Sequence, residues 1–157
     1  NTHLLETEFG WDGILAEPAV CWQRDLKLNR RAVIEERCVW SSSGGHIEFN
    51  ETAIPELSTM DTYSYSDLHR GDREKGKRYM VETISINDLL EKYKAPSHID
   101  YLSIDTEGSE FEILSSLDFE RYSFGVITCE HNFDKKKRED IFKLLSKYKY
   151  QRKEWKL

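Results

Sequence analysis

The chain is 157 residues long, 38% hydrophobic, 12% aromatic and 33% charged, with a formal net charge of −6. That length can bury a core of its own, and the mixture is too apolar for a disordered chain and too polar for a membrane protein. The excess of 29 Asp and Glu over 23 Lys and Arg argues against nucleic acid as a partner, and no run approaches the ~20 apolar residues of a membrane span.

Taken in order, NTHLLETEFGW runs in helical register with Leu4, Leu5 and Phe9 near one face. Gly13 to Glu17 is a short apolar strand closed by an acid, and Pro18 suits the opening of a helix over 18–29 that carries Val20, Trp22 and Leu26. Ala32 to Trp40 reads as a second strand, Ser41 to Gly45 as a turn, and His46 to Phe49 as an antiparallel return. Residues 50–78 are polar and rich in Ser, Asp and Tyr, with a charged DREKGKR run, and read as a long loop or lid. Tyr79 to Ile84 is a β-branched strand, after which Ser85 and Asp88 form a capping box for a helix bearing Leu89 and Leu90; Pro96 ends that segment. Ile99 to Asp105 is a strong strand with Thr106-Glu107-Gly108 as its turn, and Ser109 opens a helix whose inner face holds Phe111, Ile113, Leu114 and Leu117. Phe124 to Glu130 is another apolar strand, and a last helix over 136–148 buries Ile141, Phe142, Leu144 and Leu145. The closing YKYQRKEWKL has the pattern of a strand that has just begun, so both ends resemble those of an incomplete domain.

Strands alternating with helices imply parallel pairing, and continuous apolar strands imply a sheet covered on both faces. The expected class is α/β, doubly wound, with a mostly parallel sheet, in a single domain over 1–157. Cys21, Cys38 and Cys129 are odd in number and widely spaced, which points to reduced thiols of a cytoplasmic protein rather than a disulfide frame or a zinc site.

Ligands of open α/β sheets bind outside the carboxyl ends of the strands. Three strands here end in a carboxylate: Glu17, Asp105 and Glu130, with Glu107, Glu110 and His131 within a turn of those ends. Acids that converge on one edge repel one another, so a bound ligand explains them better than structure alone. An acid closing the second strand of such a sheet suits the ribose hydroxyls of a nucleotide-like cofactor, which is the reading of Glu17. Plain N-capping accounts for Ser109 and Glu110 but not for Asp105. His131 is a candidate general base. Asp105, Glu107, Glu130 and His131 could form an oxygen-rich metal site, but their spacing is unspecific, and no metal is assigned.

Four stretches, NTHLLETEFGWDGILAEP, VETISINDLL, IDYLSIDTEGSEFEIL and VITCEHNF, resemble the FkbM family of S-adenosylmethionine-dependent methyltransferases, in the family's order and over most of the chain. The IDYLSIDTEGSE stretch is the most specific of them. The resemblance implies a class I methyltransferase, Rossmann-like fold and methyl transfer to an oxygen of a small molecule or sugar. By the same resemblance Glu17, with Pro18 beside it, holds the cofactor's ribose, the turn at Val39, Trp40 and Ser41 lies by the adenine, and Asp105 sits beside the methionine moiety and the acceptor. The family's first strand and its glycine-rich loop have no counterpart in these residues, so residues 1–157 alone are expected to fold poorly.

The leading function is thus O-methyl transfer, with Asp105, Glu107 and His131 as candidates for the group that takes the acceptor's proton. A non-catalytic binding or scaffold domain on the same fold is the alternative from another class, and a nicotinamide oxidoreductase is a third, since an acid after the second strand also suits NAD.

Overall fold

The computed structural model describes residues 2–66 and 68–153. In chain order the elements are α1 (His3–Phe9), β1 (Ile14–Ala16), α2 (Val20–Asn29), β2 (Val33–Glu35), β3 (Cys38–Trp40), β4 (His46–Glu51), β5 (Thr59–Met60), α3 (Arg70–Arg73), β6 (Lys77–Ser85), α4 (Ile86–Lys92), β7 (His98–Ile104), α5 (Glu110–Ser116), β8 (Ser123–Cys129) and α6 (Lys135–Lys147). The β-branched and aliphatic runs at β1, β2, β7 and β8 pair in parallel, Ile14 against Val33 and Ile104 against Cys129, as crossover connections require. The longest strand, β6, is parallel to β3 on one side and antiparallel to β4 on the other.

The described residues do not show one continuous doubly wound sheet. Among the described residues the strands fall into three sheets, β1-β2, β3-β6-β4-β5 and β7-β8. Instead of hydrogen-bonding to each other, β1 and β7 flank a cavity of about 520 Å³ lined by Ile14, Leu15, Ile86, Leu90, Ile99 and Leu102 among others. The fold is therefore mixed α/β, with the expected parallel pairs present but not joined. The core packs α4, α5 and α6 on the β7-β8 pair through Ile86, Leu90, Ile104, Ile113, Leu114, Leu117, Tyr122, Phe124 and Ile141.

Other departures have local causes. The strand expected over 32–40 breaks into β2 and β3, because Glu35 turns inward and is held by Arg37, Lys92 and Tyr93 while the chain crosses from one sheet to the next. The return at His46 is antiparallel, but to β6, since β6 stands between β3 and β4. On α1 the apolar side chains Leu4 and Phe9 stay 59% and 66% exposed. The residue turned in is Glu6, which accepts from the Arg30 side chain at 2.8 Å and from the Arg31 amide. No strand forms over 148–153, and residues 154–157 lie outside the described residues. No described helix is long and apolar enough to cross a membrane.

The stretch over 50–78 is not a loose cover. It contains the end of β4, β5, α3, the start of β6 and 3-10 turns at Pro55–Leu57 and Asp61–Tyr63. Its buried polar side chains tie it inward: the Asn50 amide donates to Ser64 Oγ at 2.8 Å and to the Arg73 carbonyl at 2.9 Å. Buried polar groups hold a fixed geometry when they are matched, and the Asn50 amide donors are, although its Oδ1 is buried with no hydrogen-bond partner.

Candidate active site

Each of the three strand-end acids sits one residue past its strand: Glu17 after β1, Asp105 after β7 and Glu130 after β8. The parallel register that pairs Ile104 with Cys129 carries Asp105 and Glu130 out side by side. Glu107 joins them from the following turn, and one carboxylate oxygen of each of Asp105, Glu107 and Glu130 lies within 4.8 Å of the others. Like charges this close cannot all be ionised at no cost. A hydrogen bond shared with Asp105, then burial, then the charges of Asp105, Glu107 and Glu110 push the Glu130 carboxyl up to about 8. Its Oε2 is buried with no hydrogen-bond partner.

The turn over 105–110 is organised by Glu110. Fully buried, its Oε1 accepts from the amides of Thr106 and Gly108 at 3.0 Å each, and its Oε2 accepts from Lys137 Nζ at 3.0 Å. Burial alone pushes the Glu110 carboxyl up, but the Gly108 amide and Lys137 outweigh it and hold the group below its ordinary value. Ser109 does not cap α5; its hydroxyl donates to Thr106 Oγ1 at 2.9 Å. Gly108 has φ +142, and a Cβ there would meet the Tyr63 ring at 2.7 Å, so only glycine fits. Glu107 has φ +56, and its Oε2 accepts from Arg73 Nη2 at 2.8 Å and from Asn132 Nδ2 at 3.2 Å.

A cavity of about 260 Å³ opens at this edge, lined by Glu17, Pro18, Val39, Asp105 and Glu107 among others. That is somewhat below the ~300–1,000 Å³ usual for a small-molecule site. Residues from the ends of β1 and β7 and from β3 thus meet around one space. Glu17 Oε1 accepts from the Ala19 amide at 2.8 Å, and burial pushes its carboxyl up. Trp40 and Ser41 are not among the lining residues: the Trp40 ring packs edge-on to Tyr63 at 6.4 Å, and Ser41 is exposed. His131 follows Glu130 at the same end of the sheet as Asp105 but does not line the cavity, and its Nδ1 is buried with no hydrogen-bond partner.

The residues that could hold a cation are Asp105, Glu107 and Glu130. Glu107 already faces the Arg73 guanidinium, which neutralises one of the three charges. Sequence reasoning named Glu130 as a strand-end acid and a possible metal ligand but gave it no catalytic role, and it passed over Arg73 and Lys137. Both are members of charged runs whose local pattern is that of solvated surface, and only tertiary packing selects one residue from each.

The family model described as the methyltransferase FkbM domain matches residues 10–152, which spans every strand, the acid edge and the cavity. Neither the curated proteins nor the solved structures yield a match. A match over nearly the whole chain, on a parallel-paired α/β frame with its acids gathered at the strand ends, fixes the relationship: the chain belongs to the FkbM methyltransferase domain family.

Proposed function

We propose that the chain is an S-adenosylmethionine-dependent O-methyltransferase acting on a hydroxyl of a small molecule or sugar. One observation carries the reading: Glu17 and Asp105, from the ends of two different parallel strands, line one cavity together with Pro18 and Val39. Glu17 fits a ribose diol, because burial disfavours its charge and hydroxyl donors would offset that burial. Pro18 stands beside Glu17 at the ribose, Val39 is the part of the adenine-side turn that lines the cavity, and Asp105 faces the methionine end and the acceptor. The cofactor, when bound, supplies a methyl group on a sulfonium centre. Asp105, exposed at the edge, accepts the hydrogen bond of the acceptor hydroxyl and takes its proton, with Glu107 and His131 as the neighbouring groups able to share that role.

The lining includes Glu17, Glu56, Asp105 and Glu107 and, among the described residues, no Lys, Arg or His. Such a field suits a sulfonium cation and a neutral polyol and disfavours phosphorylated acceptors, nucleic acid or an anionic membrane surface. Free Cys21, Cys38 and Cys129 fit a reducing, cytoplasmic setting.

Titration calorimetry with S-adenosylmethionine is the test. Glu17→Ala should weaken binding by about tenfold to over a hundredfold through loss of charged hydrogen bonds. Equal affinity in the variant would remove Glu17 from the site, and no binding by the unaltered protein would overturn the reading.

A further inference from the structure

Arg73 is a fully buried cation on the four-residue helix α3. A buried guanidinium persists only where its donors are matched. Its Nη2 donates to Glu107 Oε2 and its Nε to the Leu57 carbonyl, both at 2.8 Å. The Arg73 carbonyl is held in turn by Asn50, and Thr59 Oγ1 donates to the Glu107 carbonyl at 3.0 Å. The stretch between β4 and β6 therefore grips both the carboxylate and the backbone of Glu107, while its Tyr63 closes over Gly108. Glu107 needs that grip. It sits at φ +56, where a residue with a side chain is held only by its surroundings.

Among the described residues the groups around Glu107 include Asp105 beyond β7, Glu130 and Asn132 beyond β8, and Arg73; Lys137 of α6 pairs with Glu110. With Arg73 removed, a buried carboxylate beside two others would take up a proton or turn away. With Arg73 present, the fixed negative charge of Glu107 next to Asp105 favours proton transfer from an acceptor hydroxyl to Asp105.

We propose that Arg73 is a positioning residue of this site: acting through Glu107, it keeps one carboxylate charged and fixed at the wall of the cavity, which makes the stretch from Leu57 to Arg73 part of the working site. Its functional half rests on the methyl-transfer reading; the Arg73–Glu107 coupling does not.

The experiment uses the whole chain with Arg73→Met, Arg73→Lys and Glu107→Gln. Glutamate carrying a ¹³C carboxyl gives each Glu a resonance, and the one lost in Glu107→Gln is that of Glu107. Its titration midpoint should rise by about one pH unit or more in Arg73→Met, as expected for a lost ion pair, and Arg73→Lys should bring it back. The acid limb of methyl transfer against pH should move by the same amount and be restored by lysine. A Glu107 midpoint that stays in place in Arg73→Met overturns the coupling. Turnover reduced equally at every pH, and not rescued by lysine, overturns the positioning role in favour of a structural one. Should Arg73→Met not fold, Arg73→Gln, which keeps donors without charge, takes its place. If the unaltered protein binds no S-adenosylmethionine, the methyl-transfer reading fails while the Glu107 titration still decides the coupling.

Discussion

Glu107 and Glu130 are the same residue type a few ångströms apart, and their neighbours divide their roles. Glu107 faces a guanidinium, whereas Glu130 hydrogen-bonds to Asp105 and is pushed up to about 8. A carboxyl raised from its ordinary value of 4.5 binds a proton in the folded state that the unfolded chain has already released. Stability is therefore lost progressively as pH rises from about 4.5 to about 8, and the loss is complete above that. Glu130→Gln keeps an amide donor toward Asp105 and removes the ionisation. Discounted for solvent screening, the gain at pH 8 is about 1–2 kcal/mol, or roughly 2–6 °C in melting temperature. At pH 4 the two proteins should melt together. Melts that differ equally at both pH values would show that Glu130 does not titrate this way. The sequence displayed the acids at the strand ends because a strand's end is a local feature. It hid Arg73, because DREKGKR has the composition of a solvated loop and only the tertiary pocket around Glu107 distinguishes one arginine of that run.

At the level of elements, capping was partly readable. The Ser-x-x-Asp pattern at α4 does place Ser85 Oγ on the Asp88 amide, at 3.0 Å. The return half of the box is replaced by a relay: the Ser85 amide donates to Ser43 Oγ at 2.8 Å, and the Ser43 hydroxyl donates to the Asp88 carboxylate. Ser43 lies far away in sequence, so no local pattern could supply it. At α6 the side chain of Asp134 accepts from the amides of Lys136 and Lys137 at 2.7 and 3.1 Å, which fixes the helix start and the strand-to-helix turn carrying His131 and Asn132. Asp134→Ala should lower the melting temperature by roughly 2–4 °C, as the loss of a side-chain helix cap does. Asp134→Asn should recover most of it, since an amide oxygen also caps. An alanine variant as stable as the parent would show that the cap contributes nothing to the fold.

For the whole molecule, the alternation of strands and helices told the direction of pairing across a helical crossover, and β1-β2 and β7-β8 are parallel pairs linked in that way. It could not tell how the pairs join, because that depends on which open edges meet in space. The result is a molecule whose acid edge is assembled while the sheet behind it is divided. Between β1 and β7 lies the cavity of about 520 Å³, walled mainly by aliphatic side chains with Trp11, Tyr93 and Phe124, and with charged residues such as Glu6, Arg30 and Asp100 also in its lining. Unpaired strand edges beside an apolar hollow attract other strands and hydrophobic solutes. A polypeptide of residues 1–157 should therefore bind an anilinonaphthalene dye strongly and self-associate as its concentration rises. Sedimentation across a wide concentration range, paired with dye fluorescence, checks this. A single species of 18.6 kDa at every concentration, with no dye bound, would mean that the two edges close on each other in solution. Such association is separate from the chemistry. Glu17 and Asp105 stand past the ends of β1 and β7, in a different cavity, so the open edges can drive association while the acid edge keeps its geometry.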